Sequence, residues 1–382
     1  MLKSSMAEVK RQRILIFSTA YLPLVGGAEV AVKEITDRLT EYDFDVLTAR
    51  LDRKLPRREQ VGRATVYRLG WGLPVDKLWL AWGGAFLATR LHSRKPYNGV
   101  WAIMASFGGL AAARFKVRFP RVPYLLTLQE GDDLAEVERK VRVIKRWWSS
   151  IFTQANNIQC ISTYLAVWAR RMGATGEVVV IPNGVDLNKF TRDERGGNPT
   201  ETGKKIVTAS RLVHKNGLDL VIKALPLLPA DVTFHIAGVG PEENKLKALA
   251  DELGVARRVV WQGLVSQADL PAFLQSGEVF IRPSRTEGLG NAFLEAMAVG
   301  VPVVGTLVGG IPDFLTDRVT GFAVEPDSPA SIATALSFVL DDKNKEQVGP
   351  IIHQARQLIE KKYSWETIVK DMSLIFHTFF SR

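Results

Sequence analysis

Between residues 13 and 305, short apolar runs of strand length alternate with longer segments whose apolar residues recur at helical spacing. Residues 13–18 (RILIFS) read as a buried strand, followed by a loop with Pro23, Gly26 and Gly27. Residues 28–40 then place Val32, Ile35 and Leu39 on one helical face. Further strands are expected at 44–49, 99–104, 123–128, 157–161 and 178–181, with helices between them, including 166–172. Such alternation predicts a mostly parallel sheet covered on both faces. The pattern halts at a polar stretch, 188–205. It resumes with strands at 205–209, 232–237, 259–262, 279–281 and 302–305, and helices such as 242–253 and 291–299. The expected architecture is two doubly wound α/β domains, 1–187 and 188–363, with an amphipathic helix from residue 364 to the end. Ligands of such sheets bind beyond the strands' carboxyl ends, so two domains facing each other form one cleft.

Composition removes several alternatives. The only cysteine, Cys160, excludes a disulfide scaffold and a Cys-based zinc site, and the five histidines form no H-x-x-x-H pair. The start, residues 1–13, is polar and basic without the apolar core of a signal peptide, and no stretch approaches the roughly 20 apolar residues of a membrane span. These features predict a cytoplasmic protein. The charge is uneven: residues 1–182 hold 28 Lys/Arg against 16 Asp/Glu, and the remainder 22 against 24. Seven of the nine tryptophans also fall in the first half. Two basic-aromatic runs, 113–122 (ARFKVRFPRV) and 139–148 (RKVRVIKRWW), suit a peripheral place on the anionic inner face of a membrane. The alternative is solvated arginines and core tryptophans. No nucleic-acid module is recognised, so no nucleic-acid partner is expected.

Five segments carry candidate chemistry. In 283–302, Glu287 and Glu295 flank Gly288, Leu289 and Gly290 at a strand-to-helix turn. A glycine-flanked helix start offers free N–H groups and the positive end of a dipole, which suit a diphosphate. Glu295, about one turn into the helix, is in reach of a sugar diol on the same ligand. In 209–219, Arg211 and Lys215 follow a strand, where cations can neutralise a diphosphate leaving group. In 23–29 (PLVGGAE), Gly26 and Gly27 let backbone approach a ligand. Segment 127–133 (TLQEGDD) brings Gln129, Glu130, Asp132 and Asp133 to the expected cleft. Segment 180–186 (VIPNGVD) reads as a structural turn into the linker. Each glycine or cation alone is equally compatible with a tight turn or a solvated surface; the joint set is not.

Taken together, P-x-x-GGAE, IPNGVD, RLV-x-K-x-G and the Glu287–Glu295 block ending in A-x-G-x-PVV resemble the family 4 glycosyltransferases, over about residues 13–380. The resemblance implies the GT-B fold and retaining, metal-independent transfer of a hexose from a UDP- or GDP-sugar. It implies a glycan or lipid-linked acceptor, as in cell-envelope polysaccharide or glycolipid synthesis. The second domain would bind the donor and the first the acceptor, with the last helix crossing back. By position, Arg211 and Lys215 would hold the diphosphate, Glu287 the transferred sugar and Glu295 the ribose, while Gly27 would approach the phosphate from the other domain. The resemblance thus makes Glu287, Gln129, Arg211 and Lys215 the catalytic candidates, and puts Gly27, Gly288, Leu289, Gly290 and Glu295 around the donor. Two positions depart from the family pattern. Gln129 replaces a histidine, and Asn216 stands where the lysine is usual, with Lys215 one residue earlier. Competing readings are a GT-B phosphorylase or epimerase, and a catalytically silent nucleotide-sugar-binding protein. Asp43-Phe-Asp45 is read as a chance D-x-D ahead of a strand.

Overall fold

A computed structural model describes residues 11–24, 26–191 and 203–380. Part of the expected linker, 192–202, lies outside the described residues. The N-terminal sheet contains β1 (Gln12–Phe17), β2 (Tyr42–Ala49), β3 (Arg58–Val61), β4 (Ala64–Leu69), β5 (Gly99–Ile103), β6 (Tyr124–Leu128), β7 (Asn157–Cys160) and β8 (Glu177–Val180). Their spatial order is β3-β4-β2-β1-β5-β6-β7-β8. All pairs are parallel except β3–β4, and Phe17 lies opposite Leu47.

β1 explains why its sequence is apolar throughout. Ile14 and Ile16 pack on one side, with helices Gly27–Arg38 and Trp365–Phe380. Leu15 and Phe17 pack on the other, with helices Asp76–Arg94, Phe107–Arg118 and Lys145–Thr153. Strands buried on both faces lose the polar alternation of a half-exposed strand.

The second sheet contains β9 (Lys205–Ala209), β10 (Thr233–Ala237), β11 (Val259–Gly263), β12 (Val279–Arg282), β13 (Val303–Thr306) and β14 (Phe322–Val324), in the all-parallel order β11-β10-β9-β12-β13-β14. It too is covered on both faces. Ile206 faces helices Leu218–Ala224 and Pro329–Leu340, and Val207 faces Leu270–Gln275 and Asn291–Ala298.

The chain crosses between the sheets twice, and the crossings bind each other. Val185 N donates to Tyr363 O (2.7 Å) and Trp365 N to Val185 O (3.2 Å). Gly184 is required there, because a Cβ would lie 2.6 Å from the Trp365 ring. Helix Trp365–Phe380 then returns to the first sheet. Ile368, Met372, Ile375, Phe376 and Phe380 form its buried stripe, and Phe376 meets Trp101 edge-on at 5.2 Å. Each such side chain contributes about 1.5–3 kcal/mol by burial.

Several sequence expectations are corrected. The β3–β4 hairpin and β14 were not anticipated. β4 hides its alternation because one inward residue is Arg68, which donates to Leu22 O (2.6 Å) and pairs with Glu59. Asp43 and Asp45 lie inside β2, not ahead of it. Asp45 is held by Arg13 (2.5 Å) and the Tyr97 hydroxyl (2.6 Å), a structural pairing. Of the two basic-aromatic runs, Phe115, Lys116 and Trp148 are buried.

Candidate functional site

The C-terminal wall of the cleft is built on the loop after β12. Arg282 ends that strand, is buried, lies 5.0 Å from the Phe293 ring centroid, and donates to Glu287 Oε2 at 2.6 Å. Glu287 Oε1 accepts from Gly288 N at 3.0 Å. Both carboxylate oxygens are therefore fixed, which suits a residue that holds a ligand better than a free nucleophile. Gly290 caps helix Asn291–Ala298 at φ +99°, where a Cβ would also come 3.0 Å from Phe293. The cap offers no side-chain acceptor, so the helix's first N–H groups stay available at its positive end. Leu289 is a core residue, 1% exposed, and Gly288 and Gly290 on either side of it are buried as well. Beneath this loop, Gly310 N donates to Glu287 O (3.1 Å). Gly309 and Gly310 pack so closely there that a Cβ on either would collide with the backbone of Glu287 or Gly288.

The loop after β9 supplies the cations. Asn216 turns inward, donating to Arg211 O (2.7 Å) and Ser210 Oγ (3.3 Å). Lys215 instead extends to the opposite domain, where Nζ donates to Gly131 O and to Asp132 Oδ1 (2.9 Å). Arg285 braces this loop through a bidentate pair with Asp219 (2.8 and 2.9 Å). Arg211 is exposed and, among the described residues, makes no side-chain hydrogen bond or ion pair.

The N-terminal wall carries Gly27 at the start of its helix, where a Cβ would lie 3.1 Å from Asn291 Nδ2. Asn183 Nδ2 donates to Gln129 Oε1 (3.1 Å) and to Asn291 Oδ1 (3.4 Å), an amide chain spanning the cleft. The loop behind Gln129 leans on the other domain: a Cβ on Gly288 would lie 2.3 Å from Glu130 O. Glu130 itself is buried. One of its oxygens accepts from Ala105 N, and the other has no hydrogen-bond partner among the described residues. Burial pushes its carboxyl up to about 7 against the pull of those backbone bonds.

Between the walls is a cavity of about 320 Å³ whose lining includes Gly26, Gly27, Arg211, Gln267, Asn291 and Glu295. Glu295 is half-buried, and its carboxylate has no hydrogen-bond partner among the described residues. Burial pushes it up to about 7, with Arg282 only partly opposing. Burial likewise raises the Glu29 carboxyl, against its backbone hydrogen bonds and then the charge of Arg211. Gly27, Arg211 and Glu295 thus line one cavity. Lys215 and Glu287 converge on Gly131, whose Cβ would lie 3.1 Å from Lys215 Nζ and 3.6 Å from Glu287 Oε1. Sequence reasoning treated Asn183 as a turn residue and passed over Asn291 and the Gly309–Gly310 pair. The adjacency of Asn291 to Gly290 was the one available signal.

Two Rossmann-like domains facing across a cleft, each offering a glycine-rich helix start, define the GT-B class of glycosyltransferases. Residues 25–189 match the family model described as Glycosyltransferase Family 4, and residues 190–369 the one described as Glycosyl transferases group 1. The chain belongs to the family 4 glycosyltransferases and uses a nucleotide-sugar donor. It is 28% identical to an uncharacterized glycosyltransferase, MJ1607, of Methanocaldococcus jannaschii, over 94% of this chain and 96% of that one. It is 34% identical to the GDP-mannose-dependent alpha-(1-6)-phosphatidylinositol monomannoside mannosyltransferase of Mycolicibacterium smegmatis, over 51% of this chain and 56% of that one. The fold is similar to that of sucrose-phosphate synthase from Thermosynechococcus elongatus, with TM-score 0.86 and 20% identity over 97% of this chain and 100% of that one. Among the described residues, no helix is long and apolar enough to cross a membrane, and no cluster of His, Cys, Asp and Glu is arranged to hold a metal.

Proposed function

We propose that the chain moves a hexose, with retention at the anomeric carbon, from a UDP- or GDP-sugar to a glycan or lipid-linked acceptor in cell-envelope polysaccharide or glycolipid synthesis. The observation that carries this reading is the cavity lined together by Gly27, Arg211 and Glu295, the last two making no side-chain hydrogen bond or ion pair among the described residues. A nucleoside diphosphate presents complementary groups: anionic phosphates for Arg211 and the N–H groups, and a ribose diol for Glu295.

In this reading, Arg211, Lys215 and the N–H groups of the helix start that follows Gly290 stabilise the charge that develops on the departing diphosphate. Glu287, held by Arg282, accepts hydrogen bonds from the transferred sugar. The bond from the anomeric carbon to the diphosphate oxygen breaks, and a bond to the acceptor oxygen forms on the same face. The acceptor's proton passes to the departing diphosphate. Gln129, oriented by Asn183, donates a hydrogen bond to a sugar hydroxyl, the part of the family histidine's role that an amide can perform. The M. smegmatis relative, by its description, uses GDP-mannose on a phosphatidylinositol glycolipid, which favours a lipid-linked acceptor and a peripheral place on the cytoplasmic face of the membrane.

Incubating the pure protein with a panel of UDP- and GDP-sugars tests the reading. Slow release of nucleoside diphosphate from one donor is expected. Binding of a donor without release from any would favour a silent binding protein.

A further inference from the structure

Of the seven tryptophans in the N-terminal half, Trp101, Trp148 and Trp168 are core residues, whereas Trp71, Trp79, Trp82 and Trp147 are 50–59% exposed. Helix Asp76–Arg94 is apolar on two opposite sides. Leu80, Ala81, Gly84 and Ala88 pack inward, while Leu78, Trp79, Trp82 and Phe86 form a second stripe facing outward. The stripe continues onto neighbouring elements. Trp71 meets Trp79 edge-on at 5.0 Å, and Trp82 meets Trp147 of helix Lys145–Thr153 at 5.9 Å. Arg114 of helix Phe107–Arg118 stacks over Trp82 at 4.2 Å. A contiguous exposed apolar patch of this kind is unusual on a monomer and marks an interaction surface.

The surrounding charge selects the partner. Five cations, Arg139, Lys140, Arg142, Lys145 and Arg146, lie within eight residues; Arg139 and Lys140 share Glu136, and Arg142, Lys145 and Arg146 make no ion pair among the described residues. The acid in the Asp76–Arg94 helix, Asp76, is buried, accepting from the N–H groups of Trp71, Gly72 and Leu73. Tryptophan with lysine and arginine is the combination that settles at the headgroup layer of an anionic bilayer. A second copy of the same face would oppose cations to cations, which disfavours self-association. The Trp71–Asp76 segment follows the carboxyl end of β4, the sheet edge that faces the cleft.

We propose that this outward face, centred on Trp79, Trp82 and Phe86 and rimmed by the 139–146 cations, docks the enzyme on an anionic lipid bilayer with the cleft mouth near the headgroups. The proposal deepens the lipid-linked acceptor reading and rests on it for its purpose. Its test is independent of turnover, so the two can fail separately.

The full chain is co-sedimented with phosphatidylcholine vesicles, with and without phosphatidylglycerol. Two variants accompany it, Trp79→Glu/Trp82→Glu and Arg142→Ser/Lys145→Ser/Arg146→Ser, whose matched melting midpoints verify folding. Wild type is expected to bind phosphatidylglycerol vesicles at least tenfold more tightly than neutral ones, to release in high salt, and to shift its tryptophan emission to the blue. The tryptophan variant is expected to lose the shift and the binding; the basic variant, the preference for anionic lipid. Both keep donor hydrolysis. Absence of wild-type binding at low salt overturns the proposal, as does wild-type binding by the tryptophan variant. A concentration-dependent dimer that the tryptophan variant disperses assigns the face to a second copy and also overturns it. If a variant fails to fold, wild-type salt and lipid dependence still decides.

Discussion

Lys215 Nζ lies 2.9 Å from Asp132 Oδ1, so a cation on the C-terminal domain is paired with a carboxylate on the N-terminal domain. Burial pushes the Asp132 carboxyl up, but the Lys215 hydrogen bond and charge, with Arg211, hold it below the ordinary carboxylate range. A lowered carboxylate keeps its contribution to stability above its unfolded value and loses it only in acid, so the contact persists at neutral pH.

Lys215→Ala is expected to lower turnover by roughly 10²–10³. It is also expected to let the domains separate, giving a larger radius of gyration in small-angle scattering. Asp132→Ala should show a smaller part of the second effect, since Lys215 keeps Gly131 O, with far less of the first. Wild-type turnover in Lys215→Ala would remove this lysine from the leaving-group site.

Arg211→Ala is expected to cut turnover by roughly 10²–10³ while leaving the free nucleoside's affinity nearly unchanged, because the lost contact is to developing phosphate charge. Steady-state rates beside nucleoside titrations read this directly. A variant with near wild-type turnover would show that the Arg211 guanidinium serves no catalytic purpose.

Gln129→His should retain activity, since an imidazole nitrogen can accept from Asn183 in place of the amide oxygen. Gln129→Ala is expected to fall well below it, because it removes the donor and leaves Asn183 with a lost partner. Equal rates for Gln129→Ala and wild type would take this position out of the site.

The position of Glu130 gives a stability prediction with a definite sign. Its carboxyl is raised from 4.5 to about 7, so between those pH values the unfolded chain ionises it while the folded chain keeps the proton. Stability from this group falls as pH rises through that window. Glu130→Gln should gain thermal midpoint over wild type between pH 5 and pH 8, by about 2–4 °C for each kcal/mol released. A midpoint difference that does not change with pH would assign the effect to packing.

The doubly wound architecture was legible because buried parallel strands such as β1 are continuous apolar runs, and the linking helices carry a clear 3.6-residue period. The signal failed where a strand buried a charge, as at Arg68, or offered a single apolar residue, Val61, as in β3 (REQV). It also failed in three-residue β14, which is too short to display a period. Within the site, residue types that carry charge announced themselves: Arg211, Lys215, Glu287 and Glu295. The amides did not. Asn183 forms its link to Gln129 and Asn291 only once three segments more than fifty residues apart are brought together. The tryptophans were ambiguous for a related reason: Trp147 and Trp148 are neighbours in the chain, yet the first is exposed and the second buried.

The donor site itself is tested most directly by titrating UDP and GDP into wild type and Glu295→Ala by calorimetry. The account predicts that one nucleotide binds wild type and that the variant binds it about 1–3 kcal/mol more weakly, as for loss of a charged hydrogen-bond partner. Because the Glu295 carboxyl is pushed up to about 7, wild-type affinity should fall more steeply than the variant's as pH drops from 8 to 6, the variant keeping only the titration of the nucleotide's terminal phosphate. Unchanged affinity for both nucleotides in Glu295→Ala would contradict the placement of the ribose at Glu295, and with it the orientation of the donor in the cleft.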